Sequence, residues 1–354
     1  MKKQINEANI LRGIACLAVV LVHISAIPVS TLQSDSIHMK IFSLLNRSVK
    51  FTTPTFIFLS GLTMFYSYKD KTFHYFSFLK KRFSATLIPY FLWSLIYYKY
   101  FIDQGYYIFS WDFLIENLLL ADMSYHLYFI LTILQFYLLF GVFLYIFKRF
   151  NHNYILIFLL AISIFTVKYV RFPYADRFFA RYAFYFGLGC YTAMYIDIIR
   201  EKLLKYKYLI TAGYISISCY YGYQFYQYYG LERSIDNFTI ELTWFSFCLI
   251  AIMFYSLVAY QIATKENSVL YGALKKISKA SYYIYLSHPL AIFVSEKFLT
   301  NLGMLSITRR FLLNIIIVYG MVVPLAVLYS SLKYKLTQYF KSRKRKKVTL
   351  QRGL

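Results

Sequence analysis

The run "ILRGIACLAVVLVHISAIP", residues 10–28, decides the fold. A hydrocarbon core about 30 Å thick is crossed by roughly 20 mostly apolar residues in helical form, and a backbone inside lipid has to pair within its own segment. This run has that length and only two basic side chains, Arg12 and His23. Working outward, comparable runs recur to the far end of the chain: 8–28, 50–68, 83–102, 126–147, 153–170, 180–198, 208–228, 240–262, 280–298 and 310–333. They predict an all-α polytopic membrane protein of about ten transmembrane helices in one bundle. Segment 208–228 is the least apolar and reads as amphipathic or as lying against the bundle. The runs are continuous, without the alternation over about ten residues that marks a membrane barrel. A chain of 354 residues that is 59% hydrophobic and 15% charged also excludes a soluble globular protein.

A formal net charge of +24 would suit a nucleic-acid partner, but its distribution does not. An even number of crossings puts both termini on one side, and 26 of the 39 lysines and arginines fall there against 11 opposite. By the positive-inside rule both termini are cytoplasmic. Connection 103–125 holds four acidic residues and no basic one, as an external loop should. The charge therefore accompanies membrane insertion and anionic lipid, and no nucleic acid is expected. Residues 1–335 read as one transmembrane domain in a cell membrane. Residues 336–354 form a basic cytoplasmic tail, whose "KSRKRKKVTLQR" reads as a lipid-surface anchor. Cys16, Cys190, Cys219 and Cys248 fall inside apolar runs without CxxC or metal-ligand spacing, so they read as packing residues and no metal site is expected. No small-residue cleavage site follows the first run, which reads as a retained helix.

Ionisable groups inside a bilayer are costly and usually face a cavity or the bundle interior. Arg12 and His23 are eleven positions apart, just over three helical turns, which leaves an angular offset of about 20° and a rise of about 16 Å. Singly, the arginine could snorkel to headgroups and the histidine make one helix–helix hydrogen bond. On one face of one helix, the two suggest a polar seam, with Arg12 near the cytoplasmic boundary and His23 in the outer half.

"LRGIACLAVVLVH", "PTFIFLSGLTMFYSY", "KKRFSATLIPYFLW", "YHLYFILTILQFYLLF" and "SYYIYLSHP" follow one another along the chain. In that order they resemble the successive motifs of the acyltransferase 3 family of integral membrane acyltransferases. By length and by "PTFIFLS" and "YFILTILQFYLL", the chain is similar to the Gram-positive branch associated with poly-N-acetylglucosamine modification and export. The resemblance covers residues 1–335 and implies transfer of an acyl group, acetyl or succinyl, from cytoplasmic acyl-CoA to a hydroxyl of an extracytoplasmic carbohydrate. It implies that Arg12 and His23 match the family's arginine and histidine on the first helix. It implies acyl-CoA as a donor substrate, with no permanently bound cofactor, in a bacterial cytoplasmic membrane. An imidazole with a pKa near 6.5 can take a proton from a sugar hydroxyl at neutral pH, which suits His23 as general base. Direct attack on the thioester and a prior acyl-enzyme both fit, and no GxSxG nucleophile elbow is present.

Coenzyme phosphates want arginine or lysine on the cytoplasmic side, where Lys80, Lys81 and Arg82 stand. The positive-inside rule explains the same cluster, and Ser84, Ala85 and Thr86 replace the further basic residues that family members often carry before the proline. His126 in "YHLYF" matches a family motif and either orients the acceptor or sits in the interfacial aromatic belt. His288 in "YLSHP" matches another, and a histidine before proline at a helix end also reads as a packed terminator. Arg171, Arg177 and Arg181 break the positive-inside trend in "KYVRFPYADRFFARY". They suit an anionic glycan or lipid phosphate, and contact with outer-leaflet lipid serves as well. His38, His74 and His152 read as solvated loop residues. An exporter or flippase of a surface polysaccharide is the alternative function, and an accessory subunit of a glycan synthase a further one.

Overall fold

The computed structural model describes residues 5–33 and 36–352, with the side chains of 341 and of 343–352 left aside. Lys2 and Lys3, the final residues 353 and 354, and the basic side chains of the expected lipid anchor from position 343 onward lie outside that description. All regular structure among the described residues is helical: α1 (Asn6–Thr31), α2 (Ile37–Ser48), α3 (Thr52–Tyr68), α4 (Tyr75–Asp103), α5 (Trp111–Leu120), α6 (Tyr128–Arg149) and α7 (His152–Tyr169). Two 3-10 turns, Ala175–Arg177 and Phe179–Tyr182, lead into α8 (Ala183–Met194) and α9 (Ile196–Lys205). Then come α10 (Lys207–Tyr229), α11 (Asn237–Ala263), α12 (Val269–Asn301) and α13 (Ile307–Arg352).

Where the chain leaves apolar runs, helix starts carry the expected polar caps. Ser36 accepts from Met39 N at 3.1 Å, Ser110 from Phe113 N at 3.3 Å, Asp236 from Thr239 N at 2.9 Å and Ser268 from Tyr271 N at 3.2 Å. Bonds from the Thr239 backbone and hydroxyl hold the Asp236 carboxyl below the ordinary carboxylate range.

Each expected segment falls on a helix, but not all are crossings of one kind. α1, α6, α7, α11 and the Ile307–Phe340 part of α13 are long and apolar enough to cross a membrane. The segment expected over 180–198 needs correction: it breaks at Tyr195 (φ −115°, ψ 33°) into the buried α8 and the amphipathic α9. At 12 residues, α8 is about 18 Å long, short of a bilayer core. The chain accommodates it by burying it against α3, where glycines let the backbones meet. A Cβ at Gly61 would lie 2.2 Å from the Phe186 carbonyl oxygen, and one at Gly189 2.1 Å from that of Phe58. α13 continues without a break into the residues of the expected tail, as far as Arg352.

α1 is the hub, packing against α2, α3, α11, α12 and α13. Gly13 lets α12 close on it, since a Cβ there would lie 2.7 Å from the Leu274 oxygen. Asn6 bonds Glu266 at 2.7 Å beside the α11–α12 connection, and Lys333 of α13 bonds Tyr283 of α12 at 2.7 Å. α13 therefore returns toward the end of the bundle at which α1 begins. α4 and α6 are not among the close backbone neighbours of α1. Of the four cysteines, Cys16, Cys190 and Cys248 are buried, as packing residues should be, and Cys219 is exposed.

Candidate functional site

Because α1 is unbroken from Asn6 to Thr31, its eleven-residue spacing sets Arg12 and His23 on one face. Both are half-buried.

At the lower end of this face, Arg12 lies within electrostatic range of Arg82 on α4 and Tyr137 on α6. Arg82 lies 5.7 and 5.8 Å from the ring centres of Phe78 and Tyr137. Among the described residues neither guanidinium has a carboxylate partner. Two arginines within electrostatic range and without a carboxylate repel each other until an anion joins them, and phosphate geometry suits a pair of guanidinium forks. Lys80 and Lys81, from the same predicted cluster, are exposed on α4.

At the upper end, three histidines distant in sequence meet. The His23 ring lies 5.2 Å from His288 of α12 and 4.8 Å from Tyr125, and His126 lies 5.4 Å from His288. His126 and His288 are both buried, and the Nε2 atom of each lacks a hydrogen-bond partner. His288 Nδ1 lies 3.0 Å from the Ile284 carbonyl. A carbonyl only accepts, so Nδ1 carries the proton and Nε2 keeps its lone pair. His126 Nδ1 contacts Ser124 Oγ at 3.2 Å. No group of three His, Cys, Asp or Glu side chains among the described residues has metal-ligating geometry.

The expectation that His288 ends a helix is corrected: Pro289 lies inside α12. Proline removes one ladder hydrogen bond, and Tyr97 of α4 enters the opening. Its hydroxyl donates to Leu286 O at 2.8 Å and accepts from Leu290 N at 3.1 Å. That insertion is a recognised cause of helix distortion, and it fixes α12 at the turn carrying His288. His126 rides on the connection between α5 and α6, where Tyr285 donates to its carbonyl oxygen.

The arginines of the connection between α7 and α8 do different work from one another. Arg177 is buried, donates to Leu120 O, pairs with Asp122 at 2.6 Å and lies 4.4 Å from the Tyr174 ring centre. It thereby anchors the start of the connection that presents Tyr125 and His126. Arg181 pairs with Glu241 of α11 and lies over Trp244. Arg171 is exposed and donates to Val167 O at 2.8 Å. Among the described residues, none of the three has a hydrogen bond or ion pair with His23, His126 or His288. His152, read as solvated, is instead a latch, with its ring nitrogens 2.7 Å from Tyr195 Oη and 2.7 Å from Phe147 O.

Lys50 escaped the sequence reading. It falls between α2 and α3 within electrostatic range of His23 and Arg47, and has no ion pair among the described residues. Its signal was a basic residue at the edge of an apolar run, on the side expected to be external. Tyr125 and Tyr285, hidden among 39 tyrosines, had none.

A family model described as an acyltransferase domain matches residues 5–331 of the chain. A Staphylococcus aureus protein named probable poly-beta-1,6-N-acetyl-D-glucosamine export protein is 27% identical over 348 residues, covering 91% of this chain and 93% of its own. A Staphylococcus epidermidis protein of the same name is 27% identical over 310 residues, 82% of each chain. No solved structure matches the chain.

Proposed function

The chain belongs to the acyltransferase 3 family, and from that premise we propose that it is a membrane O-acyltransferase with His23 as general base. The donor is an acyl-CoA entering from the cytoplasm, its phosphates held by Arg12 and Arg82. The acceptor is a hydroxyl of a surface polysaccharide, the class named for the staphylococcal relatives. Both termini on the cytoplasmic side would give each substrate its own side of a bacterial cytoplasmic membrane. The observation that carries this reading is the single face of α1, with two unpaired guanidiniums toward one end and a histidine cluster toward the other.

In the proposed step, the acceptor oxygen attacks the thioester carbonyl carbon while His23 takes the hydroxyl proton. The tetrahedral intermediate collapses by breaking the C–S bond. Imidazolium returns the proton to the departing sulfur, leaving an ester and free coenzyme A. Eleven residues of helix separate Arg12 from His23 by about 16 Å, the span the coenzyme's extended arm has to bridge. Positioned general bases contribute about 10²–10⁴-fold.

The test is transfer of labelled acetyl from acetyl-CoA to oligosaccharides of β-1,6-linked N-acetylglucosamine by purified protein. His23→Ala should lower the rate at least about 100-fold with coenzyme binding retained. Arg12→Ala should weaken acetyl-CoA binding about tenfold, a loss near 1.4 kcal/mol. Full transfer by His23→Ala would overturn its assignment as the base. The relatives' name also supports an export reading, and glycan efflux from vesicles without any acyl donor would favour it.

A further inference from the structure

Beside the face that holds Arg12 and His23, α1 borders a separate cavity of about 710 Å³. Its wall is built chiefly of carbon, with Leu11 of α1, Leu62 of α3, Leu188 of α8, Leu203 of α9, Ile210 of α10 and Ile252 of α11. The size lies within the range of about 300–1,000 Å³ typical of ligand sites. Water is a poor occupant, because a buried water needs two to four polar partners. An empty space of this size would deprive its lining of dispersion contacts on one side.

The bounding helices also say what shape of ligand enters. α9 closes the cavity at the end where the chain begins, tied down by Arg200, which pairs with Glu7 of α1 and with Asp197 at 2.7 Å. Between α10 and α11 the lining includes Leu209, Gly213 and Met253, and Leu209 is 71% exposed. A slot flanked by two long helices admits a narrow flexible chain more readily than a folded partner. At the rim, Lys202 of α9 is exposed and has no ion pair among the described residues, while the charge of Arg200 is already matched. Lys205 and Lys207 continue the basic corner between α9 and α10.

We propose that this cavity holds one acyl chain of an anionic phospholipid from the leaflet at the chain-end side, with its headgroup against Lys202. The apolar wall supplies the contact for the chain, and the unpaired ammonium selects the headgroup charge. The site is independent of the acyl-transfer reading and stands or falls separately from it.

Gly213 provides the test. A Cβ there meets only Ile250 Cγ2, at 3.8 Å, which is ordinary contact. Gly213→Ala should leave the slot open, Gly213→Phe should obstruct it, and Met253→Trp is a second obstruction from α11. Full-length protein is equilibrated with mixed phosphatidylglycerol and phosphatidylcholine vesicles, extracted in mild detergent and weighed by native mass spectrometry. Wild type and Gly213→Ala should retain about one phosphatidylglycerol per chain. Gly213→Phe and Met253→Trp should retain at least about tenfold less, and Lys202→Glu should lose the preference for the anionic lipid. Absence of lipid from wild type, equal retention by both folded obstruction variants, or equal retention of the two lipids by wild type would overturn the proposal. So would a detergent-stable dimer that both obstruction variants dissociate, which would make a second copy the occupant.

Discussion

His288 shows how packing commits a side chain to one tautomer. Its Nδ1 proton is spent on the Ile284 carbonyl, leaving a buried Nε2 lone pair one ring away from His23. His288→Gln removes that proton acceptor while keeping a polar side chain. Transfer should fall about tenfold or more, and the acidic limb of the pH–rate profile, where wild-type activity declines as imidazole is protonated, should change shape. An unchanged profile with unchanged rate would leave His288 a packing residue. Arg177 acts at a greater remove, since its hydrogen bonds hold Leu120 and Asp122 rather than a face of the histidine cluster. Arg177→Ala should cost about 2 kcal/mol, the order of hydrogen bonds to a charged group, and slow transfer by loosening the connection bearing His126. Thermal unfolding and turnover measured together check both effects. Arg12 and His23 were legible as residues because polar groups in an apolar helix have to be explained. Lys50 was not, because a basic residue at a segment edge is what interfacial anchoring also provides.

At the scale of elements, the α3–α8 contact is the least forgiving. Neither glycine position in it has room for a methyl group, because the opposing atoms are backbone and cannot swing aside. Gly61→Ala and Gly189→Ala should each destabilise the protein by roughly 1–3 kcal/mol or more, as overpacking does, read as a lower unfolding temperature in detergent. Gly213→Ala is the matching control, since ordinary contact awaits its methyl group. Apolar runs of membrane length made α1, α6, α7 and α11 readable to within a few residues. The α8–α9 break was not readable, because "GCYTAMYIDIIR" contains neither proline nor a glycine at the break itself. The chain turns at Tyr195 because α8 is held inside the bundle while the polar face of α9 requires solvent or headgroups. The in-helix position of Pro289 was equally hidden, because the group that accommodates it, Tyr97, is contributed by another helix.

For the whole molecule, the arrangement predicts a sidedness that labelling can read. With the exposed native Cys219 replaced, a membrane-impermeant maleimide should label Ile108→Cys in intact cells and should reach Glu266→Cys only after permeabilisation. The opposite pattern would reverse the orientation and with it the proposed side of donor entry. The sequence by itself determined the solvent, the helical class, and the shared face of Arg12 and His23, because hydropathy and the 3.6-residue period act within a single segment. Only the tertiary structure decided that His126 and His288 join His23, that Arg82 comes within electrostatic range of Arg12, and that Arg177 and Arg181 are ion-paired. Those relations are set by contacts between residues tens to hundreds of positions apart, and periodicity along one helix carries no information about which face of another will meet it.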